Sequence, residues 1–173
     1  MAKVAFIVDE LFEDSELRVP YDRVREAGHE AVIVGLEAGK QLTGKKEKET
    51  FTTDVSIGDV SPGDFDALVI PGGYSPDLIR TDDGMVELTR TLTESGKPVA
   101  AICHAGWMLA EAGVLAGKTV TSSPRIKTDL VNAGASWVDQ EVVEDGNLIT
   151  SRKPDDLEAF SKTLLAQIEQ GSG

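Results

Sequence analysis

The chain has one cysteine, two histidines and 5% aromatic residues in 173 positions. A single cysteine rules out an internal disulfide and fits a reducing cytoplasm. With only His29 and His104 present, imidazole chemistry is confined to two positions. Long apolar runs are missing as well. The amino-terminal run at Val4–Val8 is too short for a signal peptide or a membrane span, and it reads as a strand. Basic residues are scarce, 17 against 30 acidic, which leaves a net charge of −13. Such a surface repels phosphates and anionic lipids, so neither nucleic acid nor membrane is expected as a partner.

What is present is a set of short, uninterrupted apolar runs. Val4–Val8, Ala31–Leu36, Ala67–Ile70 and Val99–Ile102 have the pattern of parallel strands covered on both faces. Leu17, Tyr21, Val24 and Ala27 recur at helical spacing between the first two, and Gly28 is placed to end that helix. Pro20 either kinks this helix or marks its start. Residues 39–63, rich in Gly, Lys, Glu and Thr, read as loops and short strands, with Lys45-Lys46-Glu47-Lys48-Glu49 as a solvated face. Residues 76–96 read as one helix. Lys118–Ser122 and Ser136–Val143 read as strands, and Glu144–Asn147 as a turn into a further strand at Leu148–Ser151. Asp155–Ile168 reads as a closing helix. Alternating strands and helices predict an α/β fold, a doubly wound and mostly parallel sheet. It forms a single domain over residues 1–170, with a flexible tail at 171–173.

Ligands of such sheets bind beyond the carboxyl ends of the strands. Three features fall there. Cys103 stands where the run Pro98–Ile102 turns into a helix beginning near Ala105, the setting of a nucleophile elbow. The helix amino end favours a thiolate at such a turn. Pro71-Gly72-Gly73 leaves another strand and offers backbone N–H groups without side-chain obstruction. With the N–H of His104, those of Gly72 and Gly73 form a candidate oxyanion site. The acidic stretch Asp9–Glu16 follows the first strand, and one carboxyl turned toward the thiol would tune both groups. The remaining acids suit capping of the first helix, with Asp14 or Ser15 as N-cap. His29 follows Gly28 at the opposite end of the sheet and reads as structural. His104, adjacent to Cys103 on a tight turn, is expected to act as a proton shuttle or neighbouring charge, not as a well-aligned base.

Several segments together carry a family resemblance: Phe12-Glu13-Asp14, Phe65–Gly73, Lys97–His104, Ala112–Leu115, Ile126-Lys127 with Asp129, Asn132–Ala135, Trp137–Asp139, and Thr150–Arg152 with Pro154 and Asp156-Leu157. In order and spacing the chain resembles the ThiJ/PfpI family of the class I glutamine amidotransferase-like superfamily. The resemblance implies a flavodoxin-like three-layer sandwich and a homodimer or higher homo-oligomer. It also implies catalysis by Cys103 with His104 and Glu13 and with no cofactor or metal. Implied activities are deglycase, glyoxalase and intracellular peptidase, so the expected substrates are small carbonyl compounds, glycated adducts or peptides. A redox-sensing or chaperone-like stress protein using Cys103 is the non-enzymatic alternative. Ala105-Gly106-Trp107 departs from the family pattern beside the nucleophile. The superfamily's glutamine-hydrolysing triad needs a later histidine, and none follows His104.

Overall fold

A computed structural model describes residues 1–171. The strands are β1 (Lys3–Ile7), β2 (Glu30–Gly35), β3 (Gln41–Thr43), β4 (Thr50–Thr52), β5 (Val55–Ser56), β6 (Ala67–Ile70), β7 (Val99–Ile102), β8 (Thr119–Val120), β9 (Ser136–Trp137), β10 (Val142–Asp145) and β11 (Leu148–Ser151). The helices are α1 (Asp14–Glu26), α2 (Ser75–Ile79), α3 (Asp83–Glu94), α4 (Gly106–Glu111), α5 (Lys127–Asn132) and α6 (Leu157–Gly171). The main sheet runs β10-β11-β7-β6-β1-β2-β5 and is parallel except for the β10–β11 hairpin.

Side chains alternate across a strand, so a continuous apolar run supplies two cores. Ala5 and Ile7 of β1, Leu68 and Ile70 of β6, and Val99 and Ala101 of β7 face Leu88, Leu92, Met108 and Leu130 of α3, α4 and α5. Val4 and Phe6, Ala67 and Val69, and Ala100 and Ile102 face Leu17 and Val24 of α1 and Phe160, Leu164 and Ile168 of α6. Each large side chain buried this way contributes about 1.5–3 kcal/mol. The result is the expected three-layer α/β sandwich.

Several boundaries differ from the sequence reading. Helix α1 begins at Asp14 and carries Pro20 inside it, so Pro20 is not the start. The 76–96 stretch is two helices, because the Asp82 side chain accepts from Met85 N–H at 2.9 Å and caps a new start. Ser136–Val143 splits into β9, which pairs with β8 in a separate small sheet, and β10, which pairs with β11. The hairpin turn is thereby confined to Gly146-Asn147, with Gly146 at φ 60°. Helix α6 extends through Gly171, so the expected tail loses its first residue; residues 172 and 173 lie outside the described part. No helix of the described residues is long and apolar enough to cross a membrane.

Candidate active site

β7 ends at Ile102, and the chain turns through a short 3-10 segment, Cys103–Ala105, into α4. Cys103 takes φ 63°, a left-handed conformation that costs a non-glycine residue about 1–2 kcal/mol. The elbow expected from sequence is therefore present, and its strain sits on the cysteine itself. The thiol is half-buried. Against the expectation of a favoured thiolate, burial and then the charge of Glu16 push its pKa up from 9.0 to about 12, while the N–H groups of His104 and Gly73 and the Lys45 ammonium pull it down.

His104 Nδ1 lies 3.2 Å from Cys103 Sγ. The adjacent imidazole thus does reach the thiol, against the expectation that the tight turn would hold it away. The 3-10 turn after Cys103 folds the ring back over the sulfur, and Trp107 supports it edge-on at 5.2 Å. Partial burial, Lys45 and Arg125 all lower the His104 pKa. The ring is therefore neutral at physiological pH, and its Nδ1 can accept the thiol proton. No carboxylate among the described residues hydrogen-bonds its other nitrogen.

The carboxyl beside the thiol belongs to Glu16. A Cβ added to Gly72 would sit 2.5 Å from Glu16 Oε1 and 2.9 Å from Cys103 Cβ, so the three groups are packed together. Glu16 is fully buried. Its Oε1 accepts from Gly72 N–H at 2.9 Å, and its Oε2 is buried without a partner among the described residues. Burial and then the charge of Glu13 raise its pKa from 4.5 to about 8, against opposing contributions from Gly72 N–H, Lys45 and Lys46. At neutral pH Glu16 is a protonated acid whose free oxygen can carry the proton.

Glu13 has a different place from the one its resemblance-based role suggests. It is the N-cap residue of α1, and its buried carboxylate pairs with Lys45 Nζ at 3.1 Å and Lys46 Nζ at 3.0 Å. Two ammonium groups outcompete the thiol for this carboxylate, so its influence reaches the site through Glu16. Gly72 also departs from the oxyanion role, since its N–H is already given to Glu16. The N–H groups of Gly73 and His104 are the ones facing the sulfur. His29 accepts from Ala2 N–H at 3.0 Å, the structural role expected.

The Lys45–Glu49 run is held in place from beneath. The Asp14 carboxylate accepts from the N–H groups of Lys46 at 2.8 Å, Lys48 at 2.9 Å and Glu49 at 2.9 Å. It therefore clamps this loop instead of capping α1. Desolvation opposes its ionisation, but the three backbone donors win and its pKa falls below 3.8. A depressed folded-state value means that the clamp holds above pH 3.8 and is lost as pH falls through the lower folded value. Asp14→Ala is expected to raise amide hydrogen-exchange rates at Lys46, Lys48 and Glu49 selectively; unchanged rates would show that the loop holds itself.

Above the elbow opens a cleft of ≈ 480 Å³ lined by Lys45, Gly73, Tyr74, His104, Trp107 and Arg125. A second concavity of ≈ 530 Å³, along α1 and α6, lies away from the cysteine. No group of three or more His, Cys, Asp or Glu among the described residues is placed to hold a metal ion. The sequence reading missed Lys45 and Arg125, placed Trp107 beside the nucleophile without giving it a role, and preferred Glu13 to Glu16 within the acidic stretch. For Glu16 a signal existed: three positions after Glu13, it shares a helix face with it once the helix starts at Asp14.

Residues 2–167 match the DJ-1/PfpI family. A protein of Escherichia coli named protein/nucleic acid deglycase 2 is 48% identical over 164 residues, 94% of this chain and 95% of that protein. A Bacillus subtilis protein, also 48% identical, over 94% of this chain and 96% of its own length, is named, provisionally, the cysteine protease YraA. Among solved structures, an Anabaena variabilis protein with DJ-1/ThiJ/PfpI-like and ferritin-like domains superposes with a TM-score of 0.96 at 37% identity. The match covers 99% of this chain and 49% of that one, so the chain spans about half of that two-domain protein.

Proposed function

The chain belongs to the DJ-1/PfpI family, and from that premise we propose that it is a cysteine-dependent enzyme acting on reactive carbonyls and their adducts, of the glyoxalase and deglycase type. The observation that carries this reading is the thiol set between a neutral base, His104 Nδ1 at 3.2 Å, and the protonated acid Glu16. Carbonyl addition needs both partners at once.

With methylglyoxal, the Cys103 proton passes to His104 Nδ1 as Sγ bonds to the aldehyde carbon. The oxygen takes up the electron pair, supported by the N–H groups of Gly73 and His104, and is then protonated to give a hemithioacetal. His104, neutral again, takes the proton of the former aldehyde carbon while Glu16 gives its own to the neighbouring carbonyl oxygen, forming an enediol. The hydroxyl proton of the sulfur-bearing carbon then returns to Glu16 as His104 protonates the adjacent carbon, which gives the lactoyl thioester. Water releases lactate and restores the thiol. The oxidation of one carbon balances the reduction of its neighbour, so no external redox partner enters. An adduct on a thiol or amine joins this route by releasing that group as the Cys103 adduct forms. Glu16 has the place in this scheme that the resemblance assigned to Glu13, because its carboxyl is the one packed with Gly72 against Cys103.

A second reading, peptidase, gains from the alignment of His104 with the thiol. Against it stands the cleft, whose six lining residues suit a small substrate better than an extended chain. One purified sample assayed on methylglyoxal and on an unstructured peptide separates the two. Consumption of methylglyoxal without peptide cleavage supports the carbonyl reading, and cleavage without methylglyoxal consumption overturns it.

A further inference from the structure

The walls of the cleft carry positive charge in a chain of net charge −13. Lys45, its ammonium 5.9 Å from the centre of the Tyr74 ring, and Arg125 both line the cleft. Both act on His104 as positive charges. Lys45 is already shared with Glu13. Arg125 is different. Among the described residues every other arginine has a carboxylate or an aromatic ring against it, whereas Arg125 has neither, nor a carbonyl for its guanidinium. With 30 acidic residues in the chain, an unpaired guanidinium at the mouth of the reactive cleft stands out. Its backbone is fixed, because Arg125 lies in a short 3-10 turn capped by the Ser123 hydroxyl and Ser123 N–H donates to Cys103 O at 3.2 Å. The segment that carries the guanidinium is thus tied to the elbow that carries the thiol.

We propose that Arg125, with Lys45 in the same cleft, forms an oxyanion subsite that selects carbonyl adducts bearing a carboxylate or phosphate close to the reacting carbon. This rests on the carbonyl-enzyme reading for the identity of the substrate, but the subsite itself acts on any anionic reagent that approaches Cys103. A guanidinium offers forked donors that match both oxyanions. The protein's overall negative charge repels anions at long range, so selectivity for them requires this local reversal.

The test uses a matched pair of thiol reagents, iodoacetate and iodoacetamide, which differ in charge and alkylate the same sulfur. The rate ratio of iodoacetate to iodoacetamide at Cys103, read by mass spectrometry, is expected to fall about tenfold in Arg125→Gln. In Lys162→Gln, which removes one charge on α6 outside the cleft, it should stay at the wild-type value. Equal ratios in wild type and Arg125→Gln overturn the subsite. Acetate and inorganic phosphate, added separately, identify the oxyanion by which of them slows iodoacetate at wild-type Cys103; no slowing by either also overturns it. A turnover arm compares the methylglyoxal adducts of N-acetylcysteine and of its methyl ester at equal free methylglyoxal. Preference for the carboxylate adduct, lost in Arg125→Gln, is the expected result. Equal turnover of both adducts refutes the selectivity and leaves the carbonyl reading standing. If neither adduct is consumed while the alkylation ratio still depends on Arg125, the carbonyl reading fails and the subsite remains.

Discussion

Glu16→Gln is expected to match wild type in stability near pH 4.5 and to exceed it by about 5 kcal/mol at pH 8 and above. The cause is the buried carboxyl, whose pKa rises from 4.5 to about 8. Its folded value lies above its unfolded one. Below pH 4.5 both states hold the proton and nothing is lost. Between 4.5 and about 8 the unfolded chain releases the proton freely while the folded chain keeps it, so wild-type stability declines across that window. Glutamine has no proton to release, can still accept from Gly72 N–H, and escapes the decline. Urea unfolding of both proteins at pH 4.5, 6 and 8 measures the difference; a gap that stays constant with pH would show Glu16 ionised in the folded protein. The same substitution is expected to lower kcat on methylglyoxal by about 10²–10⁴, the usual worth of a positioned proton carrier. A variant that grows more stable and less active marks a residue kept for chemistry at the expense of the fold.

Gly73→Ala should damage fold and site together. Gly73 has φ 83°, where any side chain costs about 1–2 kcal/mol. A Cβ there would also clash with Glu13 N and lie 2.7 Å from Leu11 O and 2.8 Å from Phe12 C, all of them backbone atoms that cannot swing aside. Overpacking of this kind adds about 1–3 kcal/mol. The close approach is the bridge between Phe12 and Gly73, secured by Glu13 N–H donating to Gly72 O at 3.0 Å and Tyr74 N–H to Leu11 O at 2.9 Å. Forcing it open moves Gly73 N–H away from the sulfur and Gly72 N–H away from Glu16. The expected outcome is a loss of about 2–5 kcal/mol in unfolding free energy, with a slower Cys103 alkylation rate in the fraction that remains folded. Wild-type values for both would mean that the loop yields without consequence.

The strands of the central sheet were legible because burial on both faces writes them as uninterrupted apolar runs, and the site's position followed from their carboxyl ends. The break at Asp82 was hidden by an apolar pattern that continues in phase on both sides of it. The division of labour among the acids was hidden for a different reason. Glu13, Asp14 and Glu16 are chemically alike in sequence, and each is assigned by what the fold brings to it: two lysines to Glu13, three backbone N–H groups to Asp14, and a dry pocket with one N–H to Glu16. Two of these partner sets come from residues 45–49, a run that looks like a solvated surface until Asp14 is seen to hold it. The reach of His104 depended on a 3-10 turn, for which the sequence carries no periodic signal.

The central claim is that the Cys103 sulfur carries the chemistry on carbonyl substrates. Conversion of methylglyoxal to lactate at pH 7, followed by proton NMR with wild type and Cys103→Ala in parallel, tests it most directly. Lactate should accumulate with wild type, and its rate should drop by at least about 10³ in a variant that keeps the wild-type circular dichroism spectrum. Lactate forming at the same rate in both proteins would contradict the claim.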